Sequence, residues 1–157
     1  MGVMHPALRR ISEEHRATVV VLQAMQESCS SKAPADFARL REILAWLDRP
    51  EARTHHELES SRLFPRIRER CPPLRPVLDR LLAEDKRCER TIDDLRQALA
   101  SWELEGDTGR EPFATLARMY IRSYLGYIEV EDGYVLQVAQ DYLTESDWIE
   151  LDATFVG

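Results

Sequence analysis

Apolar residues return every three or four positions along most of the chain, the period of helices with one buried face. Leu8, Ile11, His15, Val19, Leu22 and Met25 form one such stripe. It predicts a first helix from Pro6, a residue suited to a first helical turn, to about Cys29. After a loop containing Pro34, Asp36 is placed to cap a second helix over Phe37 to Leu47. Asp48–Arg49–Pro50 breaks that helix, which resumes near Ala52 with His55, Glu59, Leu63 and Ile67 on one side and stops at Cys71–Pro72–Pro73. A third helix from Leu74 to Trp102 carries Leu78, Leu81, Leu82, Asp85, Cys88, Ile92, Leu95 and Leu99. A loop with Gly106 and Gly109 leads to a fourth helix, Pro112 to about Ala139, whose stripe is Phe113, Leu116, Tyr120, Tyr124, Tyr127, Glu131, Val135 and Val138. A short last helix, capped at Thr144 or Ser146, holds Trp148, Ile149 and Leu151. Four long helices with mostly short connections predict an all-α, antiparallel four-helix bundle with a short C-terminal helix.

Composition agrees and narrows the functional classes. The chain has 157 residues, 44% apolar and 31% charged, enough to bury one core, so residues 1–157 read as a single domain. Acids outnumber Lys and Arg by 28 to 21, a net charge of −7, and the arginines are interleaved with acids rather than gathered in a stripe. That balance argues against nucleic acid as a main partner. Cys29, Cys71 and Cys88 form no CxxC pair, which points to a reducing, cytoplasmic setting. Residues Met1 to Arg10 contain no apolar signal-peptide core. The longest apolar run, Ala17 to Met25, is interrupted and too short to span a bilayer, so no membrane role is expected.

The polar residues on the stripes change the picture. His15 lies on the first, His55 and Glu59 on the second, Asp85 on the third, Tyr127 and Glu131 on the fourth. Burying three carboxylates in an apolar interior costs several kcal/mol each unless they are protonated, paired with Arg or bound to a cation. Only Arg62 and Arg66 lie near these stripes, at the edge of the second helix. His55 with Glu59, and Tyr127 with Glu131, are spaced i and i+4, which stacks both members on one face, as in bundles whose facing helices hold metals. Each residue also has a plain structural reading. His15 can be a hydrogen-bonded core histidine and His55–His56 a solvated doublet; Asp85 can turn outward between Glu84 and Lys86. Tyr127 belongs to a tyrosine stripe with Tyr120, Tyr124 and Tyr134, and Glu131 to an acidic cluster with Glu129 and Asp132. Their coincidence on all four helices favours a metal site.

These segments resemble the hemerythrin-like, HHE cation-binding family. Ile11-Ser-Glu-Glu-His15-Arg resembles its first-helix histidine motif, and His55-His56-Glu-Leu-Glu59 its second-helix His-x-x-x-Glu motif, followed here by Leu63-Phe64. Leu81-Leu-Ala-Glu-Asp85-Lys and Tyr127-Ile-Glu-Val-Glu131-Asp resemble the third- and fourth-helix segments, and Tyr142 to Trp148 the closing turn, so the likeness spans roughly residues 5–155. The resemblance implies two iron ions held by histidines, bridged by two carboxylates, with room for an oxygen-derived ligand. His15, His55, Glu59 and Glu131 match that pattern; Asp85 and Tyr127 stand where histidines are expected. His55 is preferred to His56 because only His55 has an acid four residues on.

The departures admit a surviving, oxygen-rich site or a dead one on a persistent scaffold. Asp and Tyr are both competent hard ligands that favour ferric iron, in an oxo- or hydroxo-bridged pair, ahead of manganese or zinc. The expectation is therefore a cytosolic dinuclear iron protein that meets O2, peroxide or NO, or senses iron and redox state; whether it is an enzyme stays open. The alternative is a metal-free bundle acting as an interaction module through Trp46, Trp102 or the Trp148–Phe155 region, self-association as a homodimer among its uses.

Overall fold

A computed structural model describes residues 4–155, the last two of them by backbone alone. The start of the expected domain at Met1 to Val3, its end at Val156–Gly157 and the Phe155 side chain lie outside the described residues. The helical pattern is realised as α1 (Pro6–Ser30), α2 (Phe37–Leu47), α3 (Pro50–Leu58), α4 (Phe64–Arg70), α5 (Arg75–Glu105), α6 (Arg110–Val130), α7 (Leu136–Tyr142) and α8 (Glu145–Phe155). No strand occurs among the described residues. A π-helical turn, Glu59–Leu63, joins α3 to α4, and a second, Glu131–Val135, joins α6 to α7.

Four rods result: α1, then α2 to α4, then α5, then α6 with α7. Cross-rod contacts give their directions. The His5 N–H donates to Gln140 Oε1 at 2.7 Å and His15 Nδ1 lies 2.8 Å from Asp132 Oδ1, so the first and last rods run oppositely. Arg96 pairs with Asp48, and Arg68 with Asp79, which sets α5 against the second rod in the same sense. The contacts His56–Tyr124 and Glu59–Tyr127 advance together, as diagonal, parallel rods of an antiparallel bundle must.

The core is a continuous column of Leu, Ile and aromatic side chains, among them Leu8, Leu44, Phe64, Leu78, Leu95 and Phe113. One end is closed by Trp102, 2% exposed, edge-on to Phe37 at 5.1 Å and tilted against Phe113 at 5.6 Å. Gly109 passes so close to the Trp102 backbone that an added Cβ would lie 2.4 Å from Trp102 Cα. At the opposite end, His5 caps α1 by accepting from the Ala7 N–H and stacks on Trp148 at 4.0 Å, tying α1 to α8. Thr144, rather than Ser146, caps α8. Its hydroxyl accepts from the Asp147 N–H at 3.2 Å while Asp147 accepts from the Thr144 N–H at 2.9 Å, a reciprocal capping box.

Several expectations need correction. Trp102 cannot serve as a partner surface because it is buried; Trp46 is half-buried, with the Arg49 guanidinium 3.6 Å from its ring centre. Thr18, its hydroxyl donating to the Glu14 carbonyl, takes the buried position on α1 expected of Val19, which is half-buried. Tyr134 leaves the tyrosine stripe and is 52% exposed. The extra residue of the second π turn advances the helical phase, so Leu136 and Ala139 join Val135 in the core while Val138 stays half-buried.

Candidate metal centre

Both π turns begin at a buried carboxylate, Glu59 (1% exposed) and Glu131 (0%). In the first, the Phe64 N–H bonds the Glu59 carbonyl five residues back, and Pro65 follows. Pro65 has no N–H to give and its ring would crowd the Ser61 carbonyl in a regular helix, so widening relieves a local conflict. In the second, the Leu136 N–H bonds the Glu131 carbonyl in the same way, around Gly133. Such turns recur where helices present functional side chains.

Neighbouring residues of a helix point about 100° apart. The His55–His56 doublet therefore straddles the inward direction, and both side chains are largely buried, at 12% and 13% exposure. His55 Nε2 lies in close contact with Glu59 Oε1, as the i, i+4 spacing predicts. His15 Nε2 lies 3.7 Å from Glu131 Oε2. Ligand-capable atoms of His15, His55 and Glu59 all fall within 4.8 Å of one another. The Tyr127 hydroxyl donates to Glu59 Oε2 at 2.9 Å. Asp85 stands apart from that tight group: its Oδ1 faces His56 Nδ1 at 3.1 Å, while His56 Nε2 lies 3.1 Å from the Tyr124 hydroxyl.

Asp132, half-buried beside Glu131, holds the His15 ring through Nδ1. With Asp132 accepting from Nδ1–H, Nε2 turns its lone pair to the centre, the arrangement by which an outer carboxylate orients a ligating imidazole. In the sequence Asp132 reads only as a member of an acidic cluster, and His56 is passed over in favour of His55. The signals that could have found them were adjacency to Glu131 and the doublet itself.

The donors are incompletely satisfied. His15 Nε2 and both carboxylate oxygens of Glu131 are buried without a hydrogen-bond partner, while His55 Nε2 with Glu59 Oε1, and His56 Nδ1 with Asp85 Oδ1, have only each other; outside this centre, Glu84 Oε2 is the one further buried atom without a hydrogen bond among the described residues. An interior polar atom left so costs about 1–3 kcal/mol, more when charged. Burial drives the Glu131 carboxyl well above its ordinary range, reinforced by the neighbouring Glu59 charge. Burial presses the same way on Glu59, but His55, then His56 and His15, outweigh it and hold Glu59 ionised well below its ordinary value. Asp85 rises to about 7 through burial and the charges of Glu89 and Glu59. The Tyr127 phenol, buried beside Glu131 and Glu59, is held well above its usual value, and burial lowers His56.

The cluster thus fits a cation by the chemistry of its atoms: imidazole nitrogens and carboxylate oxygens converge in the interior, several of them without a hydrogen-bond partner from the protein. The structure brings together His15, His55, Glu59, Glu131 and Tyr127, with Asp85 one step outward behind His56.

Searches of curated proteins and of solved structures find no match to the chain. Residues 6–139 match the family described as the hemerythrin HHE cation binding domain, the greater part of the chain, and with its all-α bundle and buried His/Glu cluster the protein belongs to that cation-binding family.

Proposed function

We propose that the protein is a dinuclear non-haem iron protein that handles O2, peroxide or NO, or reports on iron and redox state through the same centre. The carrying observation is the convergence of buried imidazole nitrogens and carboxylate oxygens contributed by three rods. His15, His55, Glu59, Asp85, Tyr127 and Glu131 would hold the ions. The donor set mixes imidazole, carboxylate and phenol without a thiolate, which suits iron better than zinc. When bound, iron would supply redox chemistry toward small oxygen- or nitrogen-based ligands.

The chain's own contributions follow from its contacts. Asp132 fixes the His15 ring, and Glu59 and Glu131 supply negative charge from rods held rigidly by apolar layers. Because Glu131 and Tyr127 keep their protons in the absence of a cation, uptake must release protons. Two anionic donors in place of imidazoles favour the oxidised metal, so oxidase-like, peroxide-handling or sensing roles suit the site better than reversible O2 carriage. In this reading the protein works in the cytosol, where Cys29, Cys71 and Cys88 stay reduced. No described helix is long and apolar enough to cross a membrane.

Elemental analysis of freshly purified protein, with an absorption spectrum, tests the proposal. The expected result is iron approaching two ions per chain and a broad visible band that Tyr127→Phe abolishes while iron is retained. A colourless, metal-free chain whose melting is indifferent to chelator and to added ferrous iron overturns it.

A further inference from the structure

A groove of about 450 Å³ runs between α5 and α6, and we infer that it binds an amphipathic organic anion, a carboxylate carried on an unbranched apolar body. Its size lies within the roughly 300–1,000 Å³ usual for small-molecule sites. Val77, Leu81, Gly126, Val130 and Tyr134 line it, and the ring of Tyr127 lies at its base. The Tyr127 hydroxyl donates to Glu59, so an occupant sits one side chain away from the candidate metal centre. Recognition in the groove itself requires no metal.

The space is held open by a residue that the helix does not need. Gly126 lies inside α6, and glycine there is less favourable than alanine because it loses more backbone freedom on folding. At Gly109 the close approach of Trp102 accounts for the missing side chain. At Gly126 nothing comparable does: a Cβ would meet no atom within 4 Å, and the backbone is not left-handed. What the absent side chain leaves is volume, beside apolar surface that the fold exposes, Val130 at 39% and Tyr134 at 52%. Covering that surface with an apolar body removes it from water.

Charge selects the head of the occupant. The close approach of Gly109 to Trp102 sets the antiparallel register of α5 and α6, which puts Val77 opposite Tyr134 and Leu81 opposite Val130. Arg80 stands beside Leu81, and Arg122 lies two turns of α6 before Val130, so two guanidiniums flank an apolar stretch of about 12 Å. Neither arginine has an ion-pair partner among the described residues. Glu84, the one acid among the described lining residues, is engaged by Arg87 at 3.2 Å. The rim is therefore positive on a chain whose net charge is −7. A guanidinium presents a planar fork of donors that matches a carboxylate.

Calorimetric titration of the full-length protein, as purified, with decanoate, decanol and decylamine tests the assignment. Decanoate should bind about tenfold tighter than decanol, the reach of two partly exposed ion pairs, and decylamine should bind weakest although the chain as a whole is acidic. Gly126→Leu should abolish decanoate binding while iron content stays as in wild type and melting is no lower, since leucine suits a helix and meets open space there. Replacing Arg80 and Arg122 together by Gln should bring decanoate down to the affinity of decanol. Decanoate should bind equally well after chelator treatment; binding that vanishes with the metal would place the carboxylate on the metal and overturn the groove. Wild type that ignores decanoate, equal affinity for the three probes, or a folded Gly126→Leu chain that binds as wild type does would each overturn it as well. Should Gly126→Leu fail to fold, the arginine pair decides, and unchanged affinity there overturns the assignment. None of these outcomes touches the metal centre, whose own test is iron content.

Discussion

Asp147 and Glu131 are buried to the same extent, 1% and 0% exposed, but in opposite circumstances. Asp147 has all it needs from the chain. Arg70 donates to its two oxygens at 2.8 and 3.1 Å, and the Thr144 N–H donates at 2.9 Å. The Arg70 hydrogen bonds outweigh burial, with Thr144 adding to them, and hold its carboxyl far below the ordinary range. Glu131 has neither oxygen partnered, and burial beside Glu59 holds its carboxyl far above that range. One carboxylate completes the fold where α8 docks. The other is left incomplete by the fold, and that deficit marks the place where something from outside the chain belongs.

Removing the satisfied carboxylate has the largest expected effect on the fold. Asp147→Ala should destabilise the protein by about 2–4 kcal/mol in urea or thermal melts, the sum of charge-assisted hydrogen bonds and a helix cap. Iron content should not change; a parallel loss of iron would break the distinction between the two sites. Because the folded pKa of Asp147 is depressed, its contribution is present above the unfolded value of about 4 and disappears as pH falls through the folded value. The variant should therefore show a shallower acid limb.

Supplying the missing partner should come next in size. Free ferrous iron at about a hundredfold excess over its dissociation constant should stabilise wild type by about 2.7 kcal/mol for each ion bound. Glu131→Gln should forfeit most of that gain, and a melt that ignores iron in wild type would count against the centre.

The smallest effect concerns Glu131 without metal. Glu131→Gln should leave the chelator-treated protein equally stable, or firmer by about 1 kcal/mol, since an unpaired buried acid is removed. The sign of its pH dependence is opposite to that of Asp147. A raised folded pKa contributes stability below the unfolded value of about 4.3 that is lost as pH rises through the folded value. The Gln variant should lack this decline toward neutral pH, and a variant that unfolds would instead assign Glu131 a structural role.

Much of this architecture was legible from spacing. The stripes of α1 and α5, the break at Asp48–Arg49–Pro50 and the cap at Asp36 follow from periodicity and from side chains that act within one turn. The pairing of His55 with Glu59 was legible for the same reason. The π turns were not. Pro65 and Gly133 hinted at irregularity, but neither says that a helix will widen rather than break, and that outcome displaced Tyr134 and Val138 from their expected places. Trp102 was misjudged because a large aromatic looks alike in sequence whether it caps a core or faces a partner.

The amino-acid sequence by itself determined four rods, and which side chains lie one turn apart on each, because backbone hydrogen bonding fixes a local period that every residue obeys. It could not determine how His56, Asp85, Tyr124 and Asp132 meet, since those contacts cross between rods and depend on how each rod is rotated about its axis. That rotation is set by the packing of apolar faces and by two widened turns, so the tertiary structure alone decided which buried donors find partners and which are left facing one another.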